Sequence, residues 1–419
     1  MDIDLPFLQS DKPPVVLVCG LNLVRALGLG GIDAIVATWD PDEPALDSRY
    51  CKAHVLLPKP GPDGAAADAL IRLGEELAGR LGRRVPLLYG SDGALTLVQA
   101  HRERLQRHFL FLLPEPEVAC ALVAKDRFGA FARHRGLPVP RSLAWHGDGP
   151  GSVLGTEGAV IVKPSDKVDW HHSALCHRLF GGDGKARIFA SGNEAAAHPV
   201  VQEFHRDLTF QEYVPGGDPA HWSFHGFADE SGHVIASFIG RKIRTFPAGS
   251  GESAFIEIAH SDSLDALGRE LAARCPLRGF FKMDFKQDAE SGRWFLLEIN
   301  ARASLWLNLG AVNGVNLARA AYDYLVHGVR PGPSQARNDY RWLAWGLDYR
   351  AFREMRARGE LTAAGWAASI LASRNIYNVF SWSDPGPSIA LWRGRLARRL
   401  LRAPRRVFSM LMPWRSTAS

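Results

Sequence analysis

Asp284, Glu298 and Asn300, with Lys282 and Arg302, fall inside the short segment 279–302, GFFKMDFKQDAESGRWFLLEINAR. Two runs of alternating character flank a polar stretch, 288–292, that ends in glycine, which predicts a β-hairpin. Side chains on a strand alternate faces with period two. Lys282, Asp284 and Lys286 therefore share one face of the first strand, and Glu298 and Asn300 share one face of the returning strand. A turn centred on Ser291 sets Asp284 against Glu298 and Lys282 against Asn300, with Met283 against Ile299 and Phe285 against Leu297 behind them. One face is then apolar, and the other gathers two carboxylates, an amide and a lysine.

Like charges directly opposed on a sheet repel, so this pair asks for a cation between them. Oxygen ligands without thiolate or histidine suit Mg²⁺ or Mn²⁺. Mg²⁺ commonly combines one or two carboxylates with substrate phosphates, and Lys282 and Arg302 then serve as phosphate partners. A solvated hairpin face with scattered charges is the plain alternative, because a one-residue slip reverses the two faces.

The elements that would position this hairpin are legible upstream. Residues 15–19, 35–38, 54–57 and 85–89 read as short buried strands, with helices between them at 22–29 and 66–81. That alternation predicts a parallel α/β layer over about 13–120. Gly20-Leu21-Asn22 and Gly90-Ser91-Asp92 end two of its strands, where such sheets bind ligands or simply turn. A smaller α+β block would follow over 121–215. A second part, 216–330, carries the hairpin and a closing helix at 317–326, and a linker at 331–333 leads into an extension expected to be helical, 331–419. Lys163 follows Val160-Ile161-Val162, so it emerges at the end of a buried strand, either snorkelling to solvent or reaching an anion. Phe180 to Ala186, FGGDGKA, places three glycines beside Lys185, and glycine amides can approach a phosphate closely. Arg241, Lys242 and Arg244 precede the loop FPAGSG, a basic cluster suited to a carboxylate or an acyl phosphate. His171 and His172 read as polar loop residues, and no HxH, HExxH or Cys/His cluster points to zinc.

The same positions resemble the ATP-grasp superfamily, particularly its stand-alone carboxylate–amine ligases. Asp284-Phe285 followed by Glu298-Ile299-Asn300-Ala301-Arg302 is similar to that superfamily's metal-binding end. Lys125, in AKDRFGAFARHRGLPVPRS, resembles the lysine opening the central subdomain, and Lys163, in AVIVKPSD, the strand lysine on the nucleotide phosphates. Glu212-Tyr213-Val214, in FQEYVPGGD, resembles the adenine-reading hinge, and GRKIRTFPAGSGES the loop between hinge and metal hairpin. The likeness runs from about Val15 to Leu325. It implies a pre-grasp sheet followed by a two-part ATP-grasp domain binding ATP and Mg²⁺ or Mn²⁺. Glu212 and the Val214 backbone would hold adenine, Asp218 the ribose, and Lys125, Lys163 and Lys185 the phosphates. Asp284, Glu298 and Asn300 would hold the metal, with Lys282, Arg302 and Arg241 at the reacting groups. The implied reaction joins a small carboxylate to an amine through an acyl phosphate, releasing ADP. Carboxylase-type chemistry, phosphotransfer, or a non-catalytic nucleotide-binding adaptor on a membrane surface are the alternatives.

Composition fits a globular protein of 419 residues with a hydrophobic fraction of 46%. Five scattered cysteines without a CxxC predict reduced thiols and a cytoplasmic setting, and the acidic, proline-broken start does not read as a signal peptide. The net charge of +6 is uneven: residues 341–419 hold 14 arginines, no lysine and 4 acids, a net of +10 against −4 for the remainder. Within that tail, residues 389–406 carry seven arginines and no acid, with Leu391, Trp392, Leu396, Leu400 and Leu401 near helical spacing. Either the leucines pack on the body, or the helix lies on an anionic membrane surface. Few aromatics and no recognised motif argue against nucleic acid.

Overall fold

The computed structural model describes residues 8–9, 11–123, 125–147, 154–165, 174–182, 184–249 and 251–402, with side chains of 125–126 and 395–402 excepted. The first layer is a parallel sheet of β1 (Val15–Val18), β2 (Ala34–Thr38), β3 (Cys51–Leu56), β4 (Val85–Tyr89) and β5 (Phe109–Leu110), in the order β3-β2-β1-β4-β5. β1, β2 and β4 are buried along their whole length, as strands covered on both faces must be. Helix Leu21–Leu29 contributes to one of the two covering cores and helix Ala65–Leu81 to the other. The latter buries Leu70, Leu73, Leu77 and Leu81 along one stripe and stops at Gly82, whose φ of 68° a side chain would strain.

A four-stranded antiparallel sheet follows, made of β6 (Ser142–Leu143), β7 (Val160–Pro164), β8 (Arg187–Phe189) and β9 (Leu208–Glu212), in the order β6-β9-β7-β8. The largest sheet contains β10 (His221–Ala228), β11 (Val234–Phe246), β12 (Glu252–Ile258), β13 (Gly279–Gln287), β14 (Trp294–Asn300), β15 (Tyr340–Leu343) and β16 (Arg374–Tyr377). Its order is β14-β13-β10-β11-β12-β15-β16, antiparallel except between β15 and β16. The extension expected to be helical therefore also supplies two strands. Leu343 and Trp342 pair with Phe255 and Ile256, which places both aromatic-rich strands on an edge that β12 would otherwise leave open.

Each face of this sheet has its own work. Phe281, Met283 and Phe285 share a core with Phe224 and with Leu264 and Leu271 of the helix Asp262–Arg274. The other face begins apolar, with Phe280 against Phe227, and turns polar along the strands. Lys282 pairs with His225, Asp284 with Ser223, and Lys286 with His221.

The hairpin register holds for Lys282–Asn300, Met283–Ile299 and Asp284–Glu298. It fails one step further on: Phe285 faces Leu296, not Leu297, across a bulge. Leu296 and Ile299 are both fully buried, and strict alternation cannot turn residues three apart to one side. The bulge at Leu297 lets both enter the core while Glu298 stays beside Asp284.

The 381–387 segment, SWSDPGP, fastens the extension to the first layer. Asp384 is fully buried and accepts from Arg25 Nε (2.9 Å), Ser48 Oγ (2.9 Å) and the Arg49 amide (2.8 Å). A carboxylate taken out of water needs such partners.

Candidate active site

Asp284 lies at the centre of the polar face. One oxygen accepts from Ser223 Oγ at 2.6 Å, and the other pairs with Lys282 Nζ at 2.8 Å. Burial opposes its charge, but the ammonium groups of Lys282 and Lys242 and these two hydrogen bonds outweigh that cost and hold the carboxyl well below the usual range. Beneath Lys282, His225 stacks on Phe238 at 4.5 Å and meets Trp306 at 4.9 Å, with Nδ1 at 2.9 Å from Ser304 Oγ. Burial, then Lys282, keeps this imidazole neutral by driving its pKa far down. Gly240 extends the Asp284–Ser223 row, and a Cβ there would lie 2.5 Å from the Trp306 ring, so only glycine admits that indole.

Cations converge on the two carboxylates from three directions. Lys163 reaches in from β7, donating to Gln211 Oε1 at 3.0 Å; burial lowers its pKa and Glu298 pulls the other way. Lys242 is lowered by burial, with Asp284 opposing and Lys282 reinforcing the shift. Lys286 falls to about 8, chiefly through burial, and its ammonium sits 4.2 Å from the centre of the Tyr213 ring. Next to it His221 is depressed to about 3 by burial and then by Lys242 and Lys286. Half-buried ammonium groups that depress one another make a strong site for a polyanion.

The hinge residues Glu212, Tyr213 and Val214 line a cleft with Pro140, Ala159 and Phe295. Tyr213 donates its amide to Ala159 O at 2.9 Å, and Glu212 carries an ion pair to Arg141 at 2.6 Å. From the first layer, Asp92 accepts from Nε and Nη2 of the Arg302 guanidinium, at 2.7 and 3.1 Å. Gly90-Ser91-Asp92 thus meets the hairpin through Asp92: Ser91 caps the helix Asp92–Ala100 through the Ala94 amide at 3.1 Å, and Asp92 holds Arg302.

No protein-family model matches the chain. It is 22% identical over 284 residues to the D-aspartate ligase of Enterococcus faecium (strain Aus0004), a match covering 65% of this chain and 66% of that relative, just under two thirds of its length. Its structure is similar to the biotin carboxylase domain of the Hydrogenobacter thermophilus 2-oxoglutarate carboxylase, solved with MgADP, ADP and bicarbonate. That likeness has a TM-score of 0.51 at 16% identity and covers 78% of this chain and 73% of that one. N5-carboxyaminoimidazole synthetase from Staphylococcus aureus gives 0.52 at 11% identity, covering 78% and 79%. The chain has the ATP-grasp fold.

Within that ATP-grasp frame, several expected residues take other positions. Arg241 pairs in register with Trp222, which pairs with Phe285, so it lies on the face opposite Asp284. There it bonds Glu257 through Nε at 3.0 Å and stacks over Trp222 at 5.4 Å. Lys242, one residue on, takes the site face instead. Arg244 is sequestered too: after a bulge it is buried against Asp348 at 2.6 and 3.1 Å. Asp218 does not line the hinge cleft. Its carboxylate binds the Thr245 amide and hydroxyl at 2.8 and 2.7 Å and the Gly249 amide at 2.7 Å, pinning the loop after β11.

The glycines of FGGDGKA turn two amides inward: Gly182 donates to Cys176 O and Gly184 to Phe180 O, closing the helix Ala174–Phe180. Lys185 is left to pair with Glu252 at 2.8 Å. Lys125 begins the helix Lys125–His134; its side chain, like His171 and His172, lies outside the described residues. His221, Ser223 and His225 went unread, although their spacing of two in HWSFHGF was the available signal.

Among the described residues no three His, Cys, Asp or Glu side chains form a metal cluster. The donor set is two carboxylates and an amide in adjacent register, with Asp284 held ionised, and this suits a hard cation completed by substrate oxygens.

Proposed function

We propose that this ATP-grasp chain is an ATP- and Mg²⁺-dependent carboxylate–amine ligase that forms an amide through an acyl phosphate. The observation that carries the reading is the joining of Asp284 and Glu298 to Lys163, Lys242, Lys282, Lys286 and Arg302 around one sheet face beside the hinge cleft. Its relative among D-aspartate ligases supports the same class.

In this reading the hinge at Glu212, Tyr213 and Val214 receives the adenine, and Lys163 meets the phosphates, joined by Lys185 once it exchanges Glu252 for them. Asp284, Glu298 and Asn300 would hold Mg²⁺, which would supply charge neutralisation for the phosphates. A carboxylate oxygen of the substrate bonds to the γ-phosphorus as the bond to the ADP oxygen breaks. The amine nitrogen then bonds to the acyl carbon, phosphate leaves with the bonding pair, and the nitrogen releases a proton. Lys242, Lys282 and Arg302 stabilise charge on the transferring group, and no covalent enzyme intermediate is required. Catalysis is electrostatic and positional, so the cations must be fixed before substrate arrives. The Asp92–Arg302 and Asp284–Lys282 contacts would do that.

Incubation with ATP, Mg²⁺ and pooled amino and carboxylic acids, followed by mass spectrometry, tests the reading. An amide product that requires ATP supports it. ATP consumption that depends on bicarbonate and yields no amide would assign carboxyl-phosphate chemistry instead, and nucleotide binding without turnover would leave an adaptor.

A further inference from the structure

We propose that the helix Gly386–Arg402 is an interfacial anchor that holds the protein on a membrane surface bearing anionic lipids, with the stripe through Ile389 and Trp392 entering the headgroup layer. The base of this helix is fixed. Asp384 is locked to Arg25, Ser48 and Arg49, and Gly386 lies so close to Asp47 O that a Cβ would stand 2.0 Å from it.

From that base the first residues of the apolar stripe face water. Ile389 is 46% exposed and Trp392 66%, and Trp382, in the approach to the helix, is 88% exposed. A helix that packed its apolar side on the body would bury these positions first.

At 3.6 residues per turn, Ile389, Trp392, Leu396 and Leu400 fall within an arc of about 80°. Arg393 borders that arc on one side. Arg395, Arg398, Arg399 and Arg402 follow on the other, and the helix contains no acid. An apolar stripe edged by long cations is what the water–lipid boundary selects: tryptophan sits at headgroup depth while arginines reach the phosphates. Nucleic acid would use the arginines but leave the stripe in water. No helix among the described residues is long and apolar enough to cross a membrane, so the attachment is peripheral.

The test is co-sedimentation of the full chain with vesicles of phosphatidylcholine alone and of phosphatidylcholine mixed with phosphatidylglycerol, at low and high salt. Binding to the anionic vesicles exceeds binding to neutral ones by at least about tenfold and weakens with salt. Arg398→Gln with Arg399→Gln lowers it at low salt, and Ile389→Ser with Trp392→Ser abolishes it. Both pairs keep the wild-type circular dichroism and melting temperature, since the altered positions carry no core contact in the proposal. Equal binding to both vesicle types overturns the inference. So does failure to sediment with either, whether the stripe substitutions then abolish a dimer or the arginine substitutions abolish retention on DNA or RNA.

Discussion

The Arg302 guanidinium grips both carboxylate oxygens of Asp92, at 2.7 and 3.1 Å, tying the end of the β13–β14 hairpin to the first turn of a helix on the parallel sheet. Burial works against the charge of Arg302, yet Asp92 first, then Glu298 and Asp284, raise its pKa. In the proposed ligase the contact would set where a cation meets the reacting group, so its value would lie in orientation. With the Asp92 side chain 47% exposed, the pair adds little to stability, about 1 kcal/mol or less. Asp92→Asn is expected to melt like wild type while losing at least about tenfold in kcat/KM for ATP turnover. Steady-state kinetics beside a thermal melt checks both halves, and unchanged kcat/KM removes the positioning role.

Glu298→Gln keeps the side-chain shape and removes a ligand charge. ATP turnover should drop by about a thousandfold, in the range seen when one strong electrostatic contact is lost from a reaction centre. Circular dichroism should stay that of wild type. A variant that turns over like wild type would show that the hairpin does not hold the metal.

Lys286 makes the site sensitive to pH. Its pKa is depressed from 10.5 to about 8. Between those values the unfolded chain keeps a proton that the folded protein has released, so this group's contribution to stability rises with pH across the window. Anion binding runs the other way, because it needs the ammonium form. Affinity for a non-hydrolysable ATP analogue should weaken as pH climbs past about 8, with proton uptake on binding. Calorimetry in buffers of different ionisation heat measures that uptake, and Lys286→Met should diminish it. Identical uptake in the variant would place the titration elsewhere.

The alternation in 279–302 was enough to find Asp284 opposite Glu298, because a polar turn and a two-residue period leave few registers open. The bulge at Leu297 was not legible, since it answers to the core that receives Leu296 and Ile299. The face that Arg241 takes is not legible in the sequence for a related reason. The long strand β11 carries charges on both sides, and only pairing with Trp222 and Glu257 decides which side faces the site. The partner of Arg302 lies in another layer, and no local pattern announces it. Tyr340–Leu343 and Arg374–Tyr377 are too short and too rich in arginine and aromatics to read as strands without the edge of β12 beside them.

Asp384 should matter for stability more than its place in a turn suggests. Arg25 is 3% exposed and Asp384 fully buried, so Asp384→Ala strands a guanidinium in the interior. Loss of one member of such a pair costs about 3–5 kcal/mol. Denaturant unfolding monitored by tryptophan fluorescence should show a lower midpoint, and an unchanged midpoint would mean that the clasp carries no load.

The proposed ligase would form an acyl phosphate between Asp284, Glu298 and the surrounding cations. With ATP, Mg²⁺ and the carboxylate identified from the pooled assay, the most direct measurement replaces the amine by hydroxylamine and follows nucleotide and hydroxamate together. ADP and phosphate are expected in step with a hydroxamate of the substrate, and Glu298→Gln is expected to yield none of these. AMP and pyrophosphate in step with the hydroxamate would contradict it.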